Sequence, residues 1–181
     1  MSNKALLKIR ATHEAAHAVM AARVGWEVKR VVLAHGARGY TDMRPRRNKK
    51  YSPRADILIT LAGHAADLRM AQLHRRHRPS AVDHILSSLI DGRGSSDFSV
   101  AFKLLAKTGR ADSIVARFER ALRRADSMLA EEETWAAVEQ VAAILLRCGR
   151  LPADHLEFLL CNMRPARGRK KASAHPRPLT F

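Results

Sequence analysis

The feature that most constrains this chain is the pentapeptide His13-Glu14-Ala15-Ala16-His17, near the start of the sequence. Histidines four positions apart lie one turn apart on the same face of an α-helix, so both imidazoles can reach one metal ion if this segment is helical. The spacing therefore predicts a helix from Asn3 to Val24. Ser2 or Asn3 can cap its start, and Gly25 suits the residue after its end.

Glu14 follows the first histidine and leans toward the same helix face. A carboxylate there can accept a proton from a metal-bound water, whose pKa the metal lowers toward about 7. The three side chains are therefore suited to hydrolysis by an activated water, as in metallopeptidases. The alternative is a surface helix whose two histidines face solvent with no third ligand nearby.

A catalytic zinc ion needs a third protein ligand besides His13 and His17. Asp97 is the first choice on chemical grounds, because it follows a glycine-containing loop at the first turn of a predicted helix, where a carboxylate is held in place. Aspartate is also favoured at helix starts without any metal, so other candidates stay open. Two histidines and a carboxylate would also suit iron, cobalt or manganese. The other candidate ligands are Asp67, His64, His84 and Asp91.

Composition and periodicity predict a mainly α fold with a small β-sheet, in the α+β class. Aromatic residues make up only 5% of the chain, and alanine, leucine and arginine are abundant, which favours helices. The β-branched stretch from Glu27 to Ala34 predicts a strand, and Tyr40 to Met43 a returning strand. Helices are predicted from Ser52-Pro53 to Leu73, Ala81 to Ile90, Ser95 or Ser96 to Gly109, Asp112 to Ala130, Glu132 to Arg147 and Pro152 to Leu160.

Several protein classes do not fit the sequence. It has no run of about 18 apolar residues, so no membrane span is predicted, and residues 1–10 lack the apolar region of a signal peptide. Cys148 and Cys161 are too few for a disulfide framework or a cysteine-based zinc site, and we expect reduced thiols. These features together predict a cytoplasmic location.

Five segments follow one another in an order typical of one protein family. They are Thr12 to Ala18, which looks like the family's H-E-[AS]-G-H-A; Val28 to Leu33 followed by Gly39-Tyr40-Thr41, similar to its strand and G-Y-T; Leu61 to Asp67, similar to L-x-G-R-A-A-E; Gly94 to Phe98, similar to G-A-x-N-D-L; and Trp135 to Leu151, similar to its closing helices. Over roughly residues 8 to 160 the chain thus resembles the peptidase domain of FtsH-type ATP-dependent zinc metalloproteases.

The resemblance implies a zincin-like helix that carries the H-E-x-x-H motif and packs in a helical bundle. It implies His13, His17 and Asp97 as zinc ligands and Glu14 as the catalytic base, with Asp67 orienting a ligand histidine. It further implies a zinc-dependent metalloendopeptidase that hydrolyses unfolded or flexible proteins. The family's domain forms a six-fold ring, so a homo-oligomer, a hexamer, is expected by resemblance.

The chain departs from the family at several points. Ala16 stands where the family has glycine, and His64 where it has arginine. No G-x-x-x-x-G-K-[ST] phosphate loop and none of the family's membrane segments are present, so the chain resembles the peptidase module alone. It would cleave already unfolded protein or work with a separate ATP-dependent unfoldase. By resemblance, the strand from Val28 to Ala34 is expected to be an edge strand beside the site, to which substrate adds as a further strand.

The charge of the chain supports a rival hypothesis. The formal net charge is +16, and residues 162–181, after a domain of residues 1–161, are predicted to form a disordered basic tail. The tail and the segments Arg44 to Lys50 and His74 to Arg78 would contact phosphates if the chain were an inactive peptidase-like scaffold that binds nucleic acid or protein. Against this, the sequence has no recognised nucleic-acid-binding motif and few aromatic residues for base stacking.

Overall fold

The computed structural model describes residues 3–33, 39–47, 50–73, 97–108 and 113–160. This part of the chain is mainly helical with one small antiparallel sheet, so the predicted fold class is confirmed. In chain order its elements are α1 (Asn3–Arg23), β1 (Trp26–Leu33), β2 (Gly39–Pro45), α2 (Pro53–Leu73), α3 (Asp97–Lys107), α4 (Ile114–Leu129), α5 (Glu132–Cys148), β3 (Arg150–Pro152) and α6 (Ala153–Leu160).

Helix α1 lies at the centre of the core. It packs against α2 and α5 and also against β1 and β2. Every residue from 11 to 21 except His13 is buried, and five of them are alanines with no exposed surface, Ala11, Ala15, Ala16, Ala18 and Ala21. Such small side chains let the surrounding backbones come close to α1, which is covered on more than one side.

The sheet has the strand order β2-β1-β3, and both pairings are antiparallel. Strand β1 pairs with β2 over its whole length, with an irregularity between Val28 and Arg30. On its other side, residues Arg30 to Val32 pair with β3. Trp26, Val28 and Val31 are buried against the helices, so the sheet closes one side of the core.

The predicted elements agree with the structure to within a few residues, apart from two errors. Strand β3 was not predicted, because a three-residue strand with Pro152 at its end carries no alternation and its position instead suggested the start of the last helix. The expectation that the strand from Val28 to Ala34 is an edge strand is also wrong, because β1 is the middle strand. Among the described strands, β2 and β3 lie at the edges.

Some predictions fall outside the described residues. They are the helix from Ala81 to Ile90, the tail 162–181, the basic segment His74 to Arg78, Ala34, and the candidate ligands His84 and Asp91. No described helix is both long and apolar enough to cross a membrane.

The end of α5 is joined to β1 through Gly149. This residue adopts the left-handed conformation with a φ of 70°, its N–H donates to the carbonyl of Leu145 at 2.8 Å, and its carbonyl accepts the N–H of Leu33 at 2.7 Å. A Cβ added at Gly149 would meet no heavy atom nearer than 3.9 Å. Any cost of a side chain here therefore comes from the backbone conformation.

We predict that Gly149→Ala lowers the free energy of unfolding by about 1 kcal/mol, the usual cost of a left-handed residue with a Cβ. Urea denaturation measures the change. Gly149→Asn is the matched control, because asparagine tolerates this conformation better, and it should lose less. Equal stability of all three proteins would contradict the role given to Gly149.

Candidate metal centre

The site lies where α1 packs against α2, and the two helices run in opposite directions. His13 on α1 contacts Asp67 on α2, and His17, one turn later in α1, contacts Ile59, two turns earlier in α2. Gly63 lies between these two contacts. A Cβ built at Gly63 would overlap Nε2 of both histidines, so the rings pack directly on the α2 backbone and only glycine fits there.

Asp97, the first residue of α3, completes a cluster of three ligand atoms. Its Oδ2 lies 3.0 Å from His13 Nε2 and 3.2 Å from His17 Nε2, and the two Nε2 atoms are 3.1 Å apart. Ligand atoms bound at about 2.0–2.1 Å to a tetrahedral ion lie about 3.3 Å from each other, so the three separations are close to those of a zinc-type site. These three side chains together could hold a metal ion.

The contacts behind the histidines determine which nitrogens face the cluster. Nδ1–H of His17 donates to the carbonyl of Ile59 at 2.7 Å, and Nδ1–H of His13 donates to Oδ2 of Asp67 at 2.8 Å. In neutral imidazoles this leaves a lone pair on each Nε2. Two lone pairs and a carboxylate oxygen then converge at hydrogen-bond distance, an arrangement that needs a cation between them.

The pKa values of His13 and Asp97 are shifted in the directions expected of a cluster that attracts positive charge. Burial acts to lower the pKa of His13, but the hydrogen bonds and charges of Asp67 and Asp97 outweigh it and raise the pKa to about 10. Burial acts to raise the pKa of Asp97, yet the two histidines hold it well below its usual range. A proton on His13 would have to leave before its Nε2 could bind a metal ion, so metal binding would release a proton.

Access to the cluster is from the side of His13 and Asp97. The His17 side chain is 8% exposed, whereas those of His13 and Asp97 are 25% and 32% exposed. His17 is thus held in the interior by Ile59, while the other two ligand atoms lie nearer to solvent. Three protein ligands with one open side are typical of catalytic rather than structural zinc sites.

Glu14, the residue after His13, is buried and is held by strand β2. The hydroxyl of Thr41 lies 2.9 Å from Oε2 of Glu14 and 3.1 Å from its backbone carbonyl, so it donates to the glutamate. The backbone of Gly39 passes so close that an added Cβ would lie 2.6 Å from Oε1 of Glu14. The carboxylate is therefore confined between α1 and the first residues of β2.

The remaining candidate ligands have other positions. Asp67 does not reach the ligand cluster; it holds His13, the role that the resemblance implies. The ring of His64 is buried edge-on against Phe98 at 4.0 Å between centroids, and Phe98 stacks on Phe118 at 5.4 Å. These rings fix the start of α3, and so they position Asp97.

The sequence did not reveal the contributions of Ile59, Gly63 and Thr41. Ile59 acts through its backbone carbonyl, which no side-chain pattern can indicate. Gly63 and Thr41 stand in two of the segments on which the resemblance rests, Leu61 to Asp67 and Gly39-Tyr40-Thr41. Glycine is unfavourable inside a helix, so Gly63 within the predicted helix is a sequence signal that could have indicated close packing there.

Comparison with protein-family models finds no match to this chain, and a search of curated proteins finds none either. The geometry of the site and its motifs therefore carry the functional argument.

We predict that Gly63→Ala abolishes stoichiometric metal binding, because the added methyl group occupies the space of both Nε2 atoms. Alanine raises helix propensity, so the helical content of α2 should be kept. Metal content by mass spectrometry and circular dichroism measure the two effects. Gly149→Ala is the control, since it makes the same substitution away from the site and should keep its metal. Full metal binding by Gly63→Ala would contradict the described packing.

Proposed function

We propose that this chain is a zinc-dependent metalloendopeptidase that hydrolyses peptide bonds in unfolded or flexible proteins. The observation that carries the proposal is the buried carboxylate of Glu14, which follows His13 of the three-ligand cluster on α1 and accepts a hydrogen bond from Thr41 of β2. A metal-storage or structural site has no use for a carboxylate restrained in this way. The resemblance to the FtsH-type peptidase domain supports the same assignment.

Each residue then has a distinct role. His13, His17 and Asp97 would hold the ion, and zinc suits a set of two imidazoles and a carboxylate. The bound ion would supply Lewis acidity, lowering the pKa of water and polarising a carbonyl. Glu14 accepts the proton of the attacking water and passes it to the leaving amine. Asp67 and the Ile59 carbonyl keep both imidazoles in the ligand tautomer.

The edge of the sheet next to Glu14 offers a way to align substrate. Strand β2 is an edge strand, and its first residues contact Glu14. An extended chain that added to this edge through main-chain hydrogen bonds would run past the catalytic carboxylate. Main-chain recognition fits an endopeptidase of broad sequence preference and requires substrate that is already unfolded. A separate unfoldase and assembly into a ring remain proposals that the resemblance supports.

We predict that Glu14→Gln loses casein cleavage by at least a hundredfold while it keeps its zinc, because glutamine preserves shape but cannot accept a proton. Asp97→Ala should lose both zinc and cleavage. Unfolded casein and zinc content by mass spectrometry test both variants. Undiminished cleavage by Glu14→Gln would refute the proposed role of Glu14. A wild-type chain without any metal would refute the enzyme assignment as a whole and favour the nucleic-acid-binding alternative.

We predict that Thr41→Val lowers kcat about tenfold and leaves KM and zinc content unchanged. Valine keeps the shape of threonine but cannot donate to Glu14, and a hydrogen bond to a charged group contributes about 1.5–3 kcal/mol. Thr41→Ser keeps the hydroxyl and should retain most of the activity. If Thr41→Ser lost as much activity as Thr41→Val, the side chain would act through packing rather than through its hydrogen bond.

A further inference from the structure

A groove lined by arginines lies on the surface formed by α2, α3 and α4. It has a volume of about 500 Å³, within the range of about 300–1,000 Å³ that is typical of ligand sites. Arg54, near the start of α2, lies on one side, and Arg117, Arg120 and Arg124 of α4 lie on the other. The three arginines of α4 are spaced by three and four residues, so they follow one another on a single face of that helix.

The floor of the groove is apolar. Ile57 and Leu58 of α2, Leu105 of α3 and Ala121 of α4 line it, and Ile57 and Leu105 belong to the buried core. Their positions are fixed by core packing, so the floor is a preformed surface. A bound ligand would therefore meet hydrocarbon in the middle of the groove and guanidinium groups along its sides.

The charge of the groove comes from its arginines. None of the described residues that line it is acidic, and neither Arg54 nor Arg124 pairs with a carboxylate in the described part of the chain. Two acidic residues close to these arginines in sequence have other partners, since Asp56 accepts a hydrogen bond from Tyr51 and Glu119 pairs with Arg123. Arg117 donates to the hydroxyl of Thr108, which holds its guanidinium at the end of α3.

We propose that this groove binds an acidic peptide segment that also carries apolar side chains. Guanidinium groups bind carboxylates in a bidentate manner, and a row of them along α4 can engage several acidic residues of one peptide. The apolar floor would receive the intervening side chains. No aromatic side chain among the described residues lines the groove, so it lacks the stacking surface that single-stranded nucleic acid uses.

The groove and the candidate metal centre share no residue, so ligand binding in the groove does not depend on the proposed peptidase activity. Helix α3 separates them: Asp97 at its first turn belongs to the metal centre, and Leu105 and Thr108 at its other end belong to the groove. Peptide binding can therefore be measured in a chain that cannot cleave.

The test measures the fluorescence anisotropy of labelled peptides mixed with the Glu14→Gln chain. This variant is used because it should not cleave the peptides. A peptide of Glu-Leu-Glu-Ser repeats should bind, and its affinity should fall at least tenfold with Arg54→Glu/Arg124→Glu. Both arginines are exposed, and glutamate is accepted at both helix positions, so the fold should persist. Lys4→Glu/Lys8→Glu is the matched control, because it makes the same change of net charge at exposed positions of α1 and should bind within twofold of the parent.

Two further probes separate the contributions. Replacing leucine by serine in the peptide, at constant charge, should weaken binding at least fivefold because the floor is then unused. Equal affinity of the Arg54→Glu/Arg124→Glu chain and its parent would overturn the proposal. Tighter binding of inorganic polyphosphate, an oligonucleotide or phosphatidylserine vesicles than of the peptide, lost in the same variant, would also overturn it and assign the groove to phosphate groups.

Discussion

The close approach of α1 to the backbone of α2 at Gly63 is the contact on which the rest of the site depends. It brings both imidazoles against α2, where Ile59 and Asp67 can hold their Nδ1 atoms and turn both Nε2 atoms toward Asp97. The alanines of α1 make the approach possible, because larger side chains would hold the helices apart. The core and the metal centre are thus formed by the same helix pair, and the geometry of one sets that of the other.

Much of this arrangement follows from local sequence signals. The spacing of His13 and His17 predicted that both lie on one face of a helix. Glycines and capping residues predicted where most helices end. The fold class follows because helix periodicity dominates a chain with few aromatic residues. Asp97 was chosen from several carboxylates and histidines by its place at a helix start and by the resemblance, and the structure brings that residue to both histidines.

The structural features that could not be predicted from the sequence depend on contacts between segments that are distant in the chain. Strand β3 exists because β1 offers it a partner at Arg30 to Val32, and its own three residues contain no strand pattern. The order of the strands has the same origin: pairing with β3 makes β1 the middle strand, whereas the resemblance implied an edge strand. Thr41 and Ile59 reach the site through a hydroxyl and a backbone carbonyl, and such groups acquire a role only when tertiary structure brings a partner to them.

The charges of the chain are arranged unequally around α3. At its first turn, carboxylates from Asp67 and Asp97 surround His13 and attract positive charge. At its other end, arginines from two helices surround an apolar floor and attract negative charge. The helix spans about 15 Å between the two, at 1.5 Å per residue. A net charge of +16 therefore does not describe a uniformly basic surface, because the described residues include one cluster that could hold a cation and one groove lined by arginines.

The ligand set also has a consequence for the order of events during synthesis. His13 and His17 leave the ribosome before Asp97, which follows the first histidine by 84 positions. Until that residue and α2 have emerged, the early helix lacks both a third ligand and the backbone that orients its rings. The cluster of His13, His17 and Asp97 can therefore not form during synthesis until α2 and the start of α3 have emerged and packed on α1.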